Sequence, residues 1–153
     1  MFEDVSLGAP ENAVGFVMWR IVTRYQRQVD RALLCENLTN LQFMTLALVA
    51  WFGRDDTPVT QIQLARFAGI HPMQISQTIK ALETKQMVLR QVSDLDARAK
   101  RVETTKTGLT TLRACLPKVI AVQTAVFGES GKPGGDLLNK LLHINSHLPN
   151  EEG

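Results

Sequence analysis

Cysteine is nearly absent. Only Cys35 and Cys115 occur in 153 residues, far apart and at no spacing that suits a disulfide framework or a metal site. The expected state is a reduced chain in the cytoplasm. Long hydrophobic runs are missing too. The longest uncharged stretch, Asn37 to Gly53, has 17 residues and includes Asn37, Thr39, Asn40, Gln42 and Thr45. A membrane span needs roughly 20 mostly apolar residues, so this stretch predicts a buried helix and no membrane partner. The opening MFEDVSLGAPEN has acids and no basic segment, which argues against a signal peptide. There is no Ser/His/Asp order, phosphate-cradling loop or paired carboxylates in a plausible cleft, so no enzyme and no cofactor are expected. No internal repeat or low-complexity tract is visible. The 44% apolar and 21% charged residues are an ordinary globular composition.

Net charge is small, +2, but unevenly placed. Between Thr60 and Lys106 stand Arg66, Lys80, Lys85, Arg90, Arg98, Lys100, Arg101 and Lys106. Only Glu83, Asp94, Asp96 and Glu103 oppose them, leaving +4 in this segment and −2 elsewhere. Clustered cations are the footprint of a phosphate-binding face; a solvated helical surface is the plainer reading.

Apolar residues Val14, Met18, Ile21, Val22, Tyr25, Val29 and Leu33 recur every three or four positions, predicting one helix from Val14 to Leu34. Arg20, Arg24, Arg27 and Arg31 fall on its opposite side, in a stripe about 60° wide. A second helix is predicted from Asn40 to Phe52. Thr60, with Gln63 three residues on, opens a short third helix as a capping box, closing near Ala68-Gly69. His71-Pro72 opens a fourth. Met87 to Val92 and Lys100 to Thr104 then read as a hairpin with a polar tip over Ser93 to Ala99. Helix resumes from Lys106 to Phe127, with a kink expected at Pro117. Gly128 to Gly135 reads as a flexible connection, and a leucine-rich helix follows from Asp136 to Leu148.

This order predicts a mainly α fold with a small β-hairpin wing, a winged helix-turn-helix. Ala65, Gly69 and Ile75 support the turn: a small residue where helices cross, a residue free to adopt the left-handed conformation, and a plug between helices. Ile75, Ile79 and Leu82 would face inward. Met73, Gln74, Ser76, Gln77 and Lys80 would face out, where glutamine can pair with adenine and lysine can reach guanine or phosphate. Double-stranded DNA is therefore the expected partner. The terminal helices carry more apolar surface than a small core buries, at roughly 25 cal/mol per Å², and a second copy is the simplest cover. Residues 1–36 and 108–153 are accordingly assigned to dimerisation, and 37–107 to the DNA-binding lobe.

The segment Asp96-Ala97-Arg98-Ala99-Lys100-Arg101-Val102-Glu103-Thr104-Thr105-Lys106-Thr107-Gly108 resembles the wing of the MarR family of bacterial transcriptional regulators, Asp-x-Arg followed by Thr-x-x-Gly. Leu82 to Arg90 is similar to the family's end of recognition helix and first wing strand. Leu38-Thr39-x-x-Gln42-Phe43-x-x-Leu46 is similar to its second-helix opening. The resemblance implies a homodimer with interlocked terminal helices, acting as a regulator, a repressor by expectation, on a pseudo-palindromic operator. It also implies that Asp96 orients Arg98 and that Arg98 enters the minor groove. Thr60, His71, Lys100 and Arg101 complete the expected DNA contacts. Three departures stand out: Gln86 replaces the usual Gly after the recognition helix, pointing to a different helix end; Gln77 stands where Arg is common; Thr104 replaces an apolar residue. The resemblance also implies an anionic aromatic effector, for which Phe16, Trp19 and Arg20 are the candidate residues. The alternative is a winged-helix protein–protein adaptor, which would show an apolar patch on the exposed helix.

Two constellations are set aside. His143 and His147 stand four apart, but no third ligand is near in sequence; helix capping or a dimer contact is expected, and no metal. Cys35 and Cys115 are expected to be buried structural thiols, since Glu36 disfavours a thiolate beside Cys35 and Cys115 lies in an apolar run.

Overall fold

The structure is a computed structural model that describes residues 8–92 and 100–149. A short 3₁₀ turn, Pro10–Asn12, precedes α1 (Val14–Ala32). A second turn, Leu34–Glu36, leads to α2 (Asn40–Phe52). Then follow β1 (Val59–Thr60), α3 (Gln61–Ala68), α4 (Pro72–Thr84), β2 (Val88–Val92) and β3 (Lys100–Thr104). The chain ends in α5 (Lys106–Phe127) and α6 (Asp136–His147).

Local chemistry accounts for the helix starts. Thr39 and Thr60 each cap a helix with their hydroxyls, and Gln42 and Gln63 reach back to the cap N–H groups at 3.4 and 2.9 Å. Each box satisfies donors that a helix start otherwise leaves unpaired. His71 caps α4 through Nδ1, which accepts from the Met73 N–H at 3.2 Å, with Pro72 in the first turn.

The C-terminal end of α4 overturns one expectation. Gln86 adopts φ +58°, the left-handed conformation that Gly usually supplies. The Gln86 N–H donates to Glu83 O at 2.8 Å, and the Met87 N–H to Leu82 O at 2.9 Å. These two bonds, with buried Met87 and Leu82, form a Schellman ending. Helix α4 thus stops as a glycine-ended helix does, with glutamine carrying the strain. Gly69 closes α3 in the same way, at φ +63°.

Strand order is β1-β3-β2, all antiparallel. The third strand is additional to the expected hairpin: Val59 pairs with Val102 and Thr60 with Arg101. The core joins Leu46, Leu64, Ile75, Ile79, Leu82 and Val88 beneath the helix-turn-helix, and continues through Val29, Leu33 and Cys115 between α1 and α5.

Helix α1 stops at Ala32, before the 3₁₀ turn and two residues short of expectation. Helix α5 has the expected bounds, with Pro117 inside it. The glycine-rich segment after α5 is an ordered connection, with Gly128 and Gly134 at positive φ and Ser130 Oγ accepting from the Leu137 N–H at 2.9 Å. No helix among the described residues is long and apolar enough to cross a membrane. The terminal helices are poorly covered: α6 has no buried residue, and Val14, Trp19, Leu142 and Leu148 are 73, 63, 56 and 60% exposed.

Two backbone positions give opposite stability predictions. Gln86 is exposed and left-handed, so Gln86→Gly should stabilise the chain by roughly 0.5–1 kcal/mol, relieved strain outweighing glycine entropy. A Cβ on Gly108 would lie 2.1 Å from the Met87 carbonyl oxygen, so Gly108→Ala should cost about 1–3 kcal/mol. Urea unfolding of both variants checks the two signs.

Candidate nucleic-acid interface

Helix α4 has two faces. Ile75, Ile79 and Leu82 are fully buried, and Thr78 is tucked in with its hydroxyl donating to Gln74 O at 2.8 Å. At about 100° per residue, Met73, Gln74, Ser76, Gln77 and Lys80 fall in a sector about 160° wide on the other side. Four of these five are exposed and Ser76 is half-buried. Met73, at 64%, is the only large apolar side chain exposed on α4.

His71 sits at the N-terminal end of this face. Because its Nδ1 accepts the Met73 N–H, the neutral ring carries its proton on Nε2 and can donate outward. That arrangement suits an anion at the helix start, where the dipole is positive. The Thr60 hydroxyl is committed to its own cap, accepting from the Gln63 N–H and donating to Gln63 Oε1 at 3.1 Å. Lys100 and Arg101 are exposed on β3, and the pairing of Thr60 with Arg101 joins the wing's returning strand to the start of α3. Asp96 and Arg98 lie outside the described residues.

Two cations of the basic segment are structural. Arg90 on β2 donates from Nε and Nη2 to Glu83 Oε2 at 3.0 and 2.8 Å, clamping the wing to the end of α4. The Arg90 hydrogen bond is the main reason the Glu83 carboxyl is held below its ordinary pKa; burial opposes it and the Arg90 charge adds to it. Lys85 donates to the Asn37 carbonyl and to Gln42 Oε1, the latter at 2.8 Å, and burial pushes its pKa down. The Lys85 role leaves no mark in local sequence, because its partners are 48 and 43 positions away.

The effector candidates do cluster. The Phe16 and Trp19 rings stack with centroids 6.3 Å apart, and the Arg20 guanidinium lies 5.7 Å from the Phe16 centroid. All three stand on α1, with both rings exposed.

The thiols are not alike. Cys115 is fully buried, its pKa raised chiefly by burial and further by the Glu36 carboxylate, with Lys118 opposing. Cys35 is exposed, which corrects the expectation of a buried thiol: α1 ends early, and Cys35 falls on the surface turn instead of the core face. His147 caps the end of α6, its Nδ1 lying 2.7 Å from the His143 carbonyl.

The MarR family model matches residues 38–100. A relative described as an uncharacterized HTH-type transcriptional regulator, YdcH of Bacillus subtilis (strain 168), is 30% identical over 138 residues, covering 90% of this chain and 93% of its own. Among solved structures, CouR of Rhodococcus jostii RHA1 bound to p-coumaroyl-CoA aligns with TM-score 0.75 and 23% identity, over 90% of this chain and 92% of that one. CouR is also described as a transcriptional repressor, on a 23-mer DNA duplex. The MepR–DNA complex of S. aureus aligns with TM-score 0.75 and 19% identity, over 92% of this chain and 100% of that one. The structural likenesses establish the fold.

The Glu83–Arg90 clamp predicts a pH signature. A carboxyl whose folded pKa is depressed contributes stability above its unfolded value, near 4.3, and loses it as pH falls through the folded value. Glu83→Gln should cost about 0.2–1 kcal/mol at neutral pH, the range for a partly exposed pair. Parent and variant should converge below the usual carboxylate range. Urea titrations at about pH 7 and about pH 3 test this; an undiminished gap in acid refutes it.

Proposed function

The chain belongs to the MarR family of transcriptional regulators, and from that premise we propose that it acts as a dimeric repressor on a two-fold DNA operator. The observation that carries this reading is the polar outer face of α4, backed by a fully buried apolar face, in a fold that also exposes Lys100 and Arg101 on β3. A buried rear face holds such a helix in one orientation, which major-groove reading requires. An adaptor surface would be apolar, and α4 exposes only Met73 of that kind.

In this proposal Gln74 and Gln77 read bases, while Lys80, His71 and Arg101 hold backbone. Thr60 acts by capping α3 beside the DNA. Arg98, oriented by Asp96, enters the minor groove with Lys100 nearby, because a narrow groove concentrates negative potential. Residues 1–36 and 108–153 form the dimer lobe, their exposed apolar faces on α1, α5 and α6 covering one another across a two-fold axis. Phe16, Trp19 and Arg20 suit an anionic aromatic effector, by stacking and by charge. CouR, with its aromatic thioester, supports that class. The chain works in the cytoplasm, by binding and not by catalysis.

Light scattering at micromolar concentration should report about twice 17.0 kDa. A folded, stable monomer there would refute the dimer. Once footprinting has located the operator, titrations at one fixed salt separate the DNA roles. Gln77→Ala should cost about 1–3 kcal/mol on the operator and little on scrambled duplex. Lys80→Ala should weaken both by similar factors. Arg98→Ala should lower the slope of log K against log[salt] by roughly one. Equal losses on both duplexes for Gln77→Ala would remove it from base reading.

A further inference from the structure

The sequence offers His143 and His147 as a two-ligand spacing without a third partner; the structure adds how the rings are held. Their centroids are 4.4 Å apart with planes at 56°. His147 Nδ1 lies 2.7 Å from the His143 carbonyl oxygen. A carbonyl only accepts, so Nδ1 bears the proton and the lone pair of the neutral ring is on Nε2. Ser146 Oγ donates to the same carbonyl at 2.7 Å and lies 3.1 Å from Nδ1, bracing the ring. Metal-ligating histidines are commonly oriented in this way, one ring nitrogen donating to a carbonyl while the other is free for the ion. The His143 ring has no hydrogen-bond partner among the described residues, so one of its nitrogens is free to turn toward the same point.

We propose that His143 and His147 together form a site for a first-row divalent transition ion, of the zinc, nickel and copper class. Two imidazoles one helical turn apart are a recurrent chelating pair for such ions. Hard ions such as magnesium and calcium need oxygen donors, which this pair lacks. No group of three or more His, Cys, Asp and Glu residues suited to a metal occurs among the described residues. The remaining coordination positions therefore belong to water, and the site is open and exchangeable. On the helical wheel of α6, Asp136, Lys140, His143 and His147 form one stripe, apart from Leu137, Leu141 and Leu148, and both rings are exposed in the single chain. A bound ion would close a ring over the last turn of α6.

The test uses tag-free full-length protein titrated calorimetrically with zinc, nickel and copper(II) chlorides. One ion per chain is expected, copper binding tightest of the three. The electron paramagnetic resonance spectrum of the copper form should show at least two nitrogen ligands. His143→Ala and His147→Ala should each weaken binding at least about tenfold. His71→Ala removes the third and last histidine, which stands on another helix, and should leave the metal affinity unchanged. Both rings are exposed, so the double variant should stay folded, with its metal-free melting temperature lowered only by the lost His147 cap. The proposal is overturned if the double variant binds as the parent does, if the parent shows no binding beyond the double variant, or if the copper spectrum shows a single nitrogen.

Discussion

A single partly buried ammonium ties down the end of α4. Lys85 stands just past α4 and donates to the Asn37 carbonyl and to Gln42. Asn37 is itself left-handed, at φ 53°, in the turn that leaves α1. Gln42 belongs to the capping box of α2, and Asp30 on α1 accepts the Asn40 N–H at 2.6 Å. The end of α1, the start of α2 and the end of α4 thus meet around one lysine. A cation drawn out of water must keep its partners, since an unpaired one costs several kcal/mol. The far end of α4 is therefore tied to the α1–α2 junction by charge, and its length is seated by the Ile75, Ile79 and Leu82 core.

The wing root is fixed from a second direction. Glu83 holds Arg90, Thr105 Oγ1 donates to Gln86 O at 2.7 Å, and Gly108 allows α5 to pass against the Met87 carbonyl. These contacts bring the end of α4, the start of β2 and the start of α5 into one tightly packed corner. The terminal helices contrast with it. Their apolar faces find no cover among the described residues, so the helix-turn-helix and its sheet are well packed while the terminal helices are left open.

What the sequence disclosed followed the range of the interactions. The Thr60–Gln63 box, the His71-Pro72 start and the inward Ile75, Ile79 and Leu82 were legible because each depends on residues within a turn or two. The outward face of α4 followed from the same periodicity. Strand β1 was not legible, because two residues show no alternation and pair only with a strand some forty positions on. Lys85 and Arg90 counted with the phosphate binders because charge can be read locally while its partner cannot. Gln86 misled for a related reason: main-chain bonds and a packed Met87 impose the left-handed turn that side-chain type disfavours. The exposure of Cys35 depended on where α1 stops, which periodicity fixes only to within a residue or two.

Thr60 is both the last paired residue of β1, opposite Arg101, and the cap of α3. No side chain or loop intervenes between those duties. A pull on the returning strand is delivered to the first turn of α3 through main chain alone. The returning strand and the helix-turn-helix are therefore joined like the two jaws of a caliper hinged at a threonine, and the distance between them is gauged by backbone, not by a side chain.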